Sequence, residues 1–400
     1  MSRFILLSLL AFPIFSMSQA QEKIRDYFIG KVLSIRSEHL DAEREIMVYL
    51  PSSYHYGYND YIRYPVVYLL DGERFFHSFT GAVAHLSSDV SAQIPEMIVV
   101  GITSQDRFRD SSPTRSLIGV SGKEEKAYEN SGGANVFLKF IETELVPFID
   151  SKYRTNPYRT FAGYSFTGLP VLHSLFTKPE IFNSYLVIDF SAWWDDEVTL
   201  KNARTFFQEY RGAHRDVFIS TVDRVINDIL PEVDGTWNFI QEFEQNHPEN
   251  LNFGYKKYSY KEENHNTMAL ISFMDGLKYV FRGHMNHHDE LYSNPKSIKQ
   301  KYRRLSDRLG YKVFPREDLV NYLGYFFLFI HTEPDIDKAL FYFKYNTENY
   351  PLSAFAWDGL AEAYKTKGDK EKAIECFKRA LELKPKNKSS ILERLKELEE

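Results

Sequence analysis

A chain of 400 residues, 43% hydrophobic and 26% charged, has a globular composition and the length for two domains or for one large domain with an appendage. Its 49 Lys and Arg against 55 Asp and Glu leave a net charge of −6, so no basic field attracts nucleic acid or an anionic membrane surface. The single cysteine, Cys376, excludes an internal disulfide, and its place on the face pattern of a predicted helix reads as a small core residue.

Residues 1–20 read as a secretory signal. Arg3 supplies the positive end, residues 4–15 are an apolar run, and Ser18-Gln19-Ala20 places small residues at the −3 and −1 positions of a cleavage site. The run falls short of the ~20 residues that a membrane span needs, and no cysteine stands just after it for lipid attachment. The expectation is an exported, periplasmic or secreted chain beginning near Gln21, with no membrane span.

Residues 31–36 and 45–50 alternate in polarity, as a half-buried antiparallel pair does. Residues 65–70 and 97–102 are nearly continuous apolar runs, as in buried parallel strands. Residues 136–149 place Phe137, Phe140, Ile141, Leu145 and Phe148 on one helical face. Strand-like runs follow at 159–162, 184–190, 216–222 and 253–260, with helical patterns between them. Two antiparallel strands followed by alternating strand and helix predict an α/β fold with a mostly parallel sheet of about eight strands.

Between the run at 159–162 and the apolar helix at 170–176 stands Gly163-Tyr164-Ser165-Phe166-Thr167-Gly168. A sharp strand-to-helix turn of this kind lifts a serine hydroxyl above the sheet, with a helix N-terminus behind it. Thr167 occupies the place of the motif's last glycine and adds bulk to a tight turn; Gly168 gives relief one place later. On these residues alone, a solvated serine in an ordinary turn explains the pattern equally well.

Further stretches, taken in order, resemble the esterase D or enterochelin-esterase-like branch of the α/β-hydrolases. They are residues 64–73, residues 99–102, Arg107-Phe108-Arg109-Asp110 with Pro113-Thr114, residues 133–153, the serine turn, Ala192-Trp193-Trp194-Asp195-Asp196 and Glu263-Asn264-His265. The resemblance covers about residues 31–281. It implies an α/β-hydrolase that cleaves carboxylic esters through an acyl-enzyme, with no metal or organic cofactor. The substrates it implies are small-molecule or glycan-linked esters of siderophore, feruloyl, acetyl or small-thioester type. Family and signal together imply a bacterial periplasmic setting.

The same resemblance implies Ser165 as nucleophile and His265 as general base. It puts the acid after the strand at 216–222, where Asp223 is the first candidate and Asp228, Glu232 and Asp234 lie in the same loop; a Ser–His dyad is the alternative. One oxyanion donor would be the N–H of Phe166, the other an N–H near Gly72 and Glu73. Trp193, Trp194 and Tyr164 are expected to touch substrate, with packing of a crossover helix as the competing role of the tryptophan pair. Arg107 and Arg109 are expected to pair with local carboxylates such as Asp106 and Asp110. Where the family often has Ser-Pro-Ser ahead of its tryptophans, Asp189-Phe190-Ser191 stands here. A carboxylate at 189 would alter the histidine, narrow substrate choice or mark lost activity. With Thr167, it motivates the rival reading of an inactive hydrolase scaffold used for binding.

From about residue 297 helical pattern takes over, and a 34-residue repeat is present: Ala339, Phe343 and Pro351 recur as Ala373, Phe377 and Pro385. The second copy, 354–387, resembles the tetratricopeptide pattern closely; the first, 320–353, is diverged, and 389–400 reads as a polar capping helix. The expected organisation is signal 1–20, hydrolase 21–285, helical linker 286–319, and repeats with cap 320–400. So short an array offers little concave surface for a protein partner or self-association. A structural extension, shaping the mouth of the site or a dimer contact, is the preferred role. His284, His287, His288, Asp289 and Glu290 fit no closed zinc spacing and read as a solvated linker.

Overall fold

The structure is a computed structural model of the chain that describes residues 27–55, 62–223 and 235–400. The signal read at 1–20 and the acid candidates Asp228, Glu232 and Asp234 lie outside the described residues.

The apolar runs form one sheet of eight strands: β1 (Lys31–Ser37), β2 (Ala42–Tyr49), β3 (Tyr64–Leu70), β4 (Ile98–Ile102), β5 (Thr155–Tyr164), β6 (Ser184–Ile188), β7 (Arg215–Asp223) and β8 (Leu251–Ser259). Their spatial order is β1-β2-β4-β3-β5-β6-β7-β8. The β1–β2 and β2–β4 pairs are antiparallel and the rest parallel. This is the α/β-hydrolase sheet. Strands β3, β4 and β6 are buried along their whole length, which is why they read as unbroken apolar runs.

Helices cover both faces. Helix α1 (Gly72–Leu86) lies on one. Helices α2 (Arg107–Ser111), α3 (Ala134–Phe140), α4 (Val146–Lys152), α5 (Gly168–Thr177), α6 (Trp194–Glu209) and α7 (Gly235–Asn246) lie toward the other, and α8 (Met268–Val280) returns to the face of α1. The helix read at 136–149 is two helices joined by a π turn at Ile141–Leu145. Pro147, at the start of α4, has no N–H to donate four residues back, and the wider turn ahead of it absorbs the missing bond.

The tail is helical throughout: α9 (His288–Ser293), α10 (Ser297–Leu309), α11 (Glu317–Tyr325), α12 (Ile336–Asn349), α13 (Ala354–Lys367), α14 (Lys370–Glu382) and α15 (Lys388–Glu399). The repeat copies are the pairs α11/α12 and α13/α14, each followed by a further helix that seals it. Asp335, Ser353 and Asp369 cap α12, α13 and α14 by accepting from backbone N–H groups. A Cβ on Gly324 or Gly359 would strike the Phe343 ring, so these two glycines let α11 and α13 close over it. Cys376 is buried on α14.

The array docks at the amino ends of the strands. Asp216, at the start of β7, takes Arg282 at 2.7 Å and Arg308 of α10 at 3.5 Å. Tyr158, near the start of β5, packs on Phe281 and Tyr311, both at 5.6 Å between ring centroids. Arg316 donates to Ser87 O at the end of α1. The hydrophobic core on the α1/α8 face continues without a break into α10 to α15. Ser165 stands at the carboxyl end of β5, so the extension lies at the opposite end of the sheet from it and does not border it.

Two buried histidines tie stability to pH. His284 is buried at this junction, with Nδ1 3.3 Å from Ala92 O, and His173 on α5 has Nε2 2.8 Å from Asn135 Oδ1. Burial holds both well below the usual histidine value, each at about 4, with Lys301 and Arg316 adding to the effect at His284. The unfolded chain takes up these protons near 6.5, the folded chain only near 4. Stability is therefore complete above pH 6.5 and lost as pH falls toward 4, by up to about 1.4 kcal/mol per pH unit for each group. Urea midpoints of the parent and of His284→Asn should diverge less at pH 5 than at pH 7. An equal gap at both pH values would remove His284 from the effect.

Candidate active site

Strand β5 ends at Tyr164, and the chain turns at Ser165 into a short 3-10 turn and α5. Ser165 has φ of 56°, in the left-handed region that costs a non-glycine residue about 1–2 kcal/mol. Neighbouring bonds hold it there: Ser191 N donates to Ser165 O at 3.2 Å. A Cβ on Gly163 would run into the carbonyl oxygen of Thr167, and one on Gly168 into Phe190 Cβ, so both glycines are required by close approach. Thr167 causes no such conflict. Its side chain is buried, Tyr164 N donates to its Oγ1 at 3.0 Å, and the same Oγ1 lies 3.0 Å from Asp71 Oδ2.

His265 lies in the loop between β8 and α8. Its Nε2 is 3.0 Å from Ser165 Oγ, and its Nδ1 is 2.6 Å from Asp189 Oδ2. An ionised carboxylate only accepts, so Nδ1 carries the proton and Nε2 is left to accept from the serine hydroxyl. Asp189 has no exposed side-chain surface. Its Oδ1 accepts from Thr221 Oγ1 at 2.8 Å and its own N–H donates to Ser220 O at 2.8 Å, which pins it to β7. The imidazole is thus oriented by a fixed, dry carboxylate while its other edge, 38% exposed with the rest of the side chain, remains reachable. Such an array can transfer a proton from Ser165 to His265 and stabilise the imidazolium that results.

The carboxylate at the histidine is therefore Asp189, and the expectation of Asp223 is corrected. Asp223 ends β7 with its side chain 51% exposed and pairs with Lys257 of β8 at 2.9 Å. The reason is strand order: β6 adjoins β5, whereas β7 is one strand further from the serine. Tyr164 is also relocated. It is 1% exposed, stacks on the His265 ring at 4.8 Å and donates its hydroxyl to His265 O at 2.7 Å. Burial raises its pKa, keeping the hydroxyl a neutral donor. It is a platform for the histidine rather than a substrate contact.

Trp194 is fully buried and donates Nε1–H to Thr114 Oγ1 at 3.2 Å, which makes it a packing residue. Trp193 is only partly buried, and with Phe108, Tyr128 and Phe166 it forms an aromatic cluster beside the serine. Phe166 follows Ser165 directly, and Glu73 stands in the first turn of α1, its side chain accepting from Ser104 N at 3.2 Å. Arg109 pairs with Asp110 at 2.8 Å, as its local charges suggest. Arg107 does not pair locally: it grips Asp71 through both oxygens, at 2.8 and 2.9 Å. Asp110 also receives Arg44, a fully buried arginine of β2, at 2.7 Å. A cavity of about 1030 Å³ lies between residues 27–33, β2 and α1 and shares no residue with the Ser165 constellation.

Residues 37–220 match the family model described as "Putative esterase". Over these residues the chain is similar to that esterase family. Residues 354–387, the second repeat copy, match a tetratricopeptide repeat. The chain is similar to the ferri-bacillibactin esterase BesA of Bacillus subtilis, 33% identical over 158 residues, or 36% of this chain and 53% of the relative. It is similar also to a siderophore triacetylfusarinine C esterase of Aspergillus fumigatus, 28% identical over 155 residues, 38% of this chain and 52% of the relative. The chain spans about half the length of these curated relatives. Among solved structures, an IroE-like serine hydrolase from Shewanella oneidensis matches with a TM-score of 0.70 and 29% identity, covering 80% of this chain and 99% of that one.

Proposed function

We propose that this chain is an exported serine hydrolase that cleaves small carboxylic esters of siderophore type through an acyl-enzyme on Ser165. The observation that carries the reading is the hydrogen-bonded run from Ser165 through His265 to Asp189. In the first step Ser165 Oγ attacks the acyl carbon while His265 Nε2 takes its proton. The tetrahedral oxyanion is held by the N–H groups of Phe166 and Glu73, and collapse expels the alcohol with the proton returned from His265. Water, deprotonated by His265, then attacks the acyl-enzyme and releases the acid. The names of the similar esterases support a siderophore ester, and the half-buried Phe108 and Trp193, backed by the buried Tyr128 and Phe166, offer apolar surface for an aromatic acyl group. Thr167 and Asp189, which favoured an inactive scaffold, both make bonds that suit a working site. The tetratricopeptide match leaves a protein partner as the second role of the repeats, behind that of a structural extension, because so short an array offers little concave surface.

A fluorophosphonate probe tests the reading. It should label Ser165 alone, located by peptide mass spectrometry, and hydrolysis of p-nitrophenyl acetate should fall in proportion to labelling. Label on another residue, or hydrolysis that persists in fully labelled protein, would overturn it.

A further inference from the structure

We infer that Asp71, Arg107 and Thr167 are positioning residues that fix the distance between the two oxyanion donors, and that Thr167 replaces the motif's last glycine as part of this clamp. The inference rests on the hydrolase reading of Ser165. Under that reading the donors belong to separate elements. Phe166 is on the turn after β5, and Glu73 is in the first turn of α1, after β3. Strands β3 and β5 are neighbours, but their last registered pair is Leu69 with Ala162. The backbone ladder therefore stops short of both donors.

Side chains bridge the gap beyond it. Asp71, with φ of 52°, is the residue that turns β3 into α1, and it is 3% exposed. Its carboxylate meets Thr167 Oγ1 at 3.0 Å, and that hydroxyl accepts from Tyr164 N at 3.0 Å. Thr167 has one hydroxyl proton, with Asp71 Oδ2 and Tyr164 O at 2.9 Å both in reach; the carboxylate is the stronger acceptor. Arg107 closes a second route, gripping both Asp71 oxygens and donating to Tyr164 O at 3.3 Å. It also neutralises the buried charge, and Ser104 Oγ adds a bond at 3.2 Å. The left-handed turn at Asp71 and the left-handed turn at Ser165 are thus tied to each other through one buried carboxylate. A glycine at 167 has no atom to make this tie.

The test compares Thr167→Val, which keeps the shape and deletes the hydroxyl, with Thr167→Ser, which keeps the hydroxyl. For Thr167→Val, kcat on p-nitrophenyl acetate and the rate of fluorophosphonate labelling at Ser165 should both fall by about 10–100-fold, short of the roughly 10²–10³ that removal of a whole oxyanion donor costs, while KM moves little. Thr167→Ser should recover most of the loss. A Val variant with parental kcat, a change confined to KM, or a Ser variant as poor as Val overturns the clamp. Where Thr167→Val does not fold, Asp71→Asn is read in the same way, with circular dichroism as the folding control. A parent protein that is not labelled at Ser165 overturns the hydrolase reading and this inference together; labelling of the parent with no loss in the variants overturns the clamp alone.

Discussion

Ser165→Ala is expected to lower kcat/KM for p-nitrophenyl esters by about 10⁴-fold or more, with the fold intact. The serine side chain points out of a turn that the backbone already enforces. Gly163, Gly168 and the Ser191 N–H fix the path, and alanine occupies the same left-handed position at the same backbone cost. The loss should therefore be chemical, visible in kcat with no change in the thermal midpoint. Residual activity close to that of the parent would exclude Ser165 from covalent chemistry and leave the scaffold as a binding protein.

Asp189→Asn is expected to cost about 10⁴-fold in kcat, and Asp223→Asn no more than about twofold. An asparagine at 189 can turn its NH₂ toward His265 Nδ1. The ring then carries its proton on Nε2, the nitrogen that has to accept from Ser165. Asp223, half exposed and paired with Lys257, acts only through screened water. Side-by-side kinetics of the two variants decide between them. A larger loss from Asp223→Asn would return the acid to the end of β7.

The fold was legible because its signals are local. Continuous apolar runs, one helical stripe after another and a 34-residue recurrence each carry their own period, and all eight strands fall where the runs lie. Ser165 and His265, 3.0 Å apart in the structure, stand out in the sequence for a related reason: each follows a strand, in a recognisable order. The acid was not, because sequence spacing does not say which of two neighbouring strand ends faces the histidine. One signal was present at Asp189, a charged residue closing the run Tyr185 to Ile188, which is buried throughout. It departs from the family pattern, and a carboxylate at the end of a buried strand needs a partner. Trp194 and Tyr164 misled for the opposite reason. Large aromatic side chains near a site read as substrate contacts, whereas only burial separates a wall from a platform. The bond between Thr167 and Asp71 spans 96 residues, beyond the reach of any local pattern.

The attachment of the repeats at the amino ends of the strands has a consequence for how the molecule can be mounted. Any larger body gripped by α11 to α15 sits at the pole opposite Ser165. A body held there would leave the carboxyl ends of the strands, where Ser165 stands, uncovered. Arg308, paired with Asp216 of β7, and Arg316, donating to Ser87 O at the end of α1, join that tail to the sheet domain by side chains as well as by the chain itself.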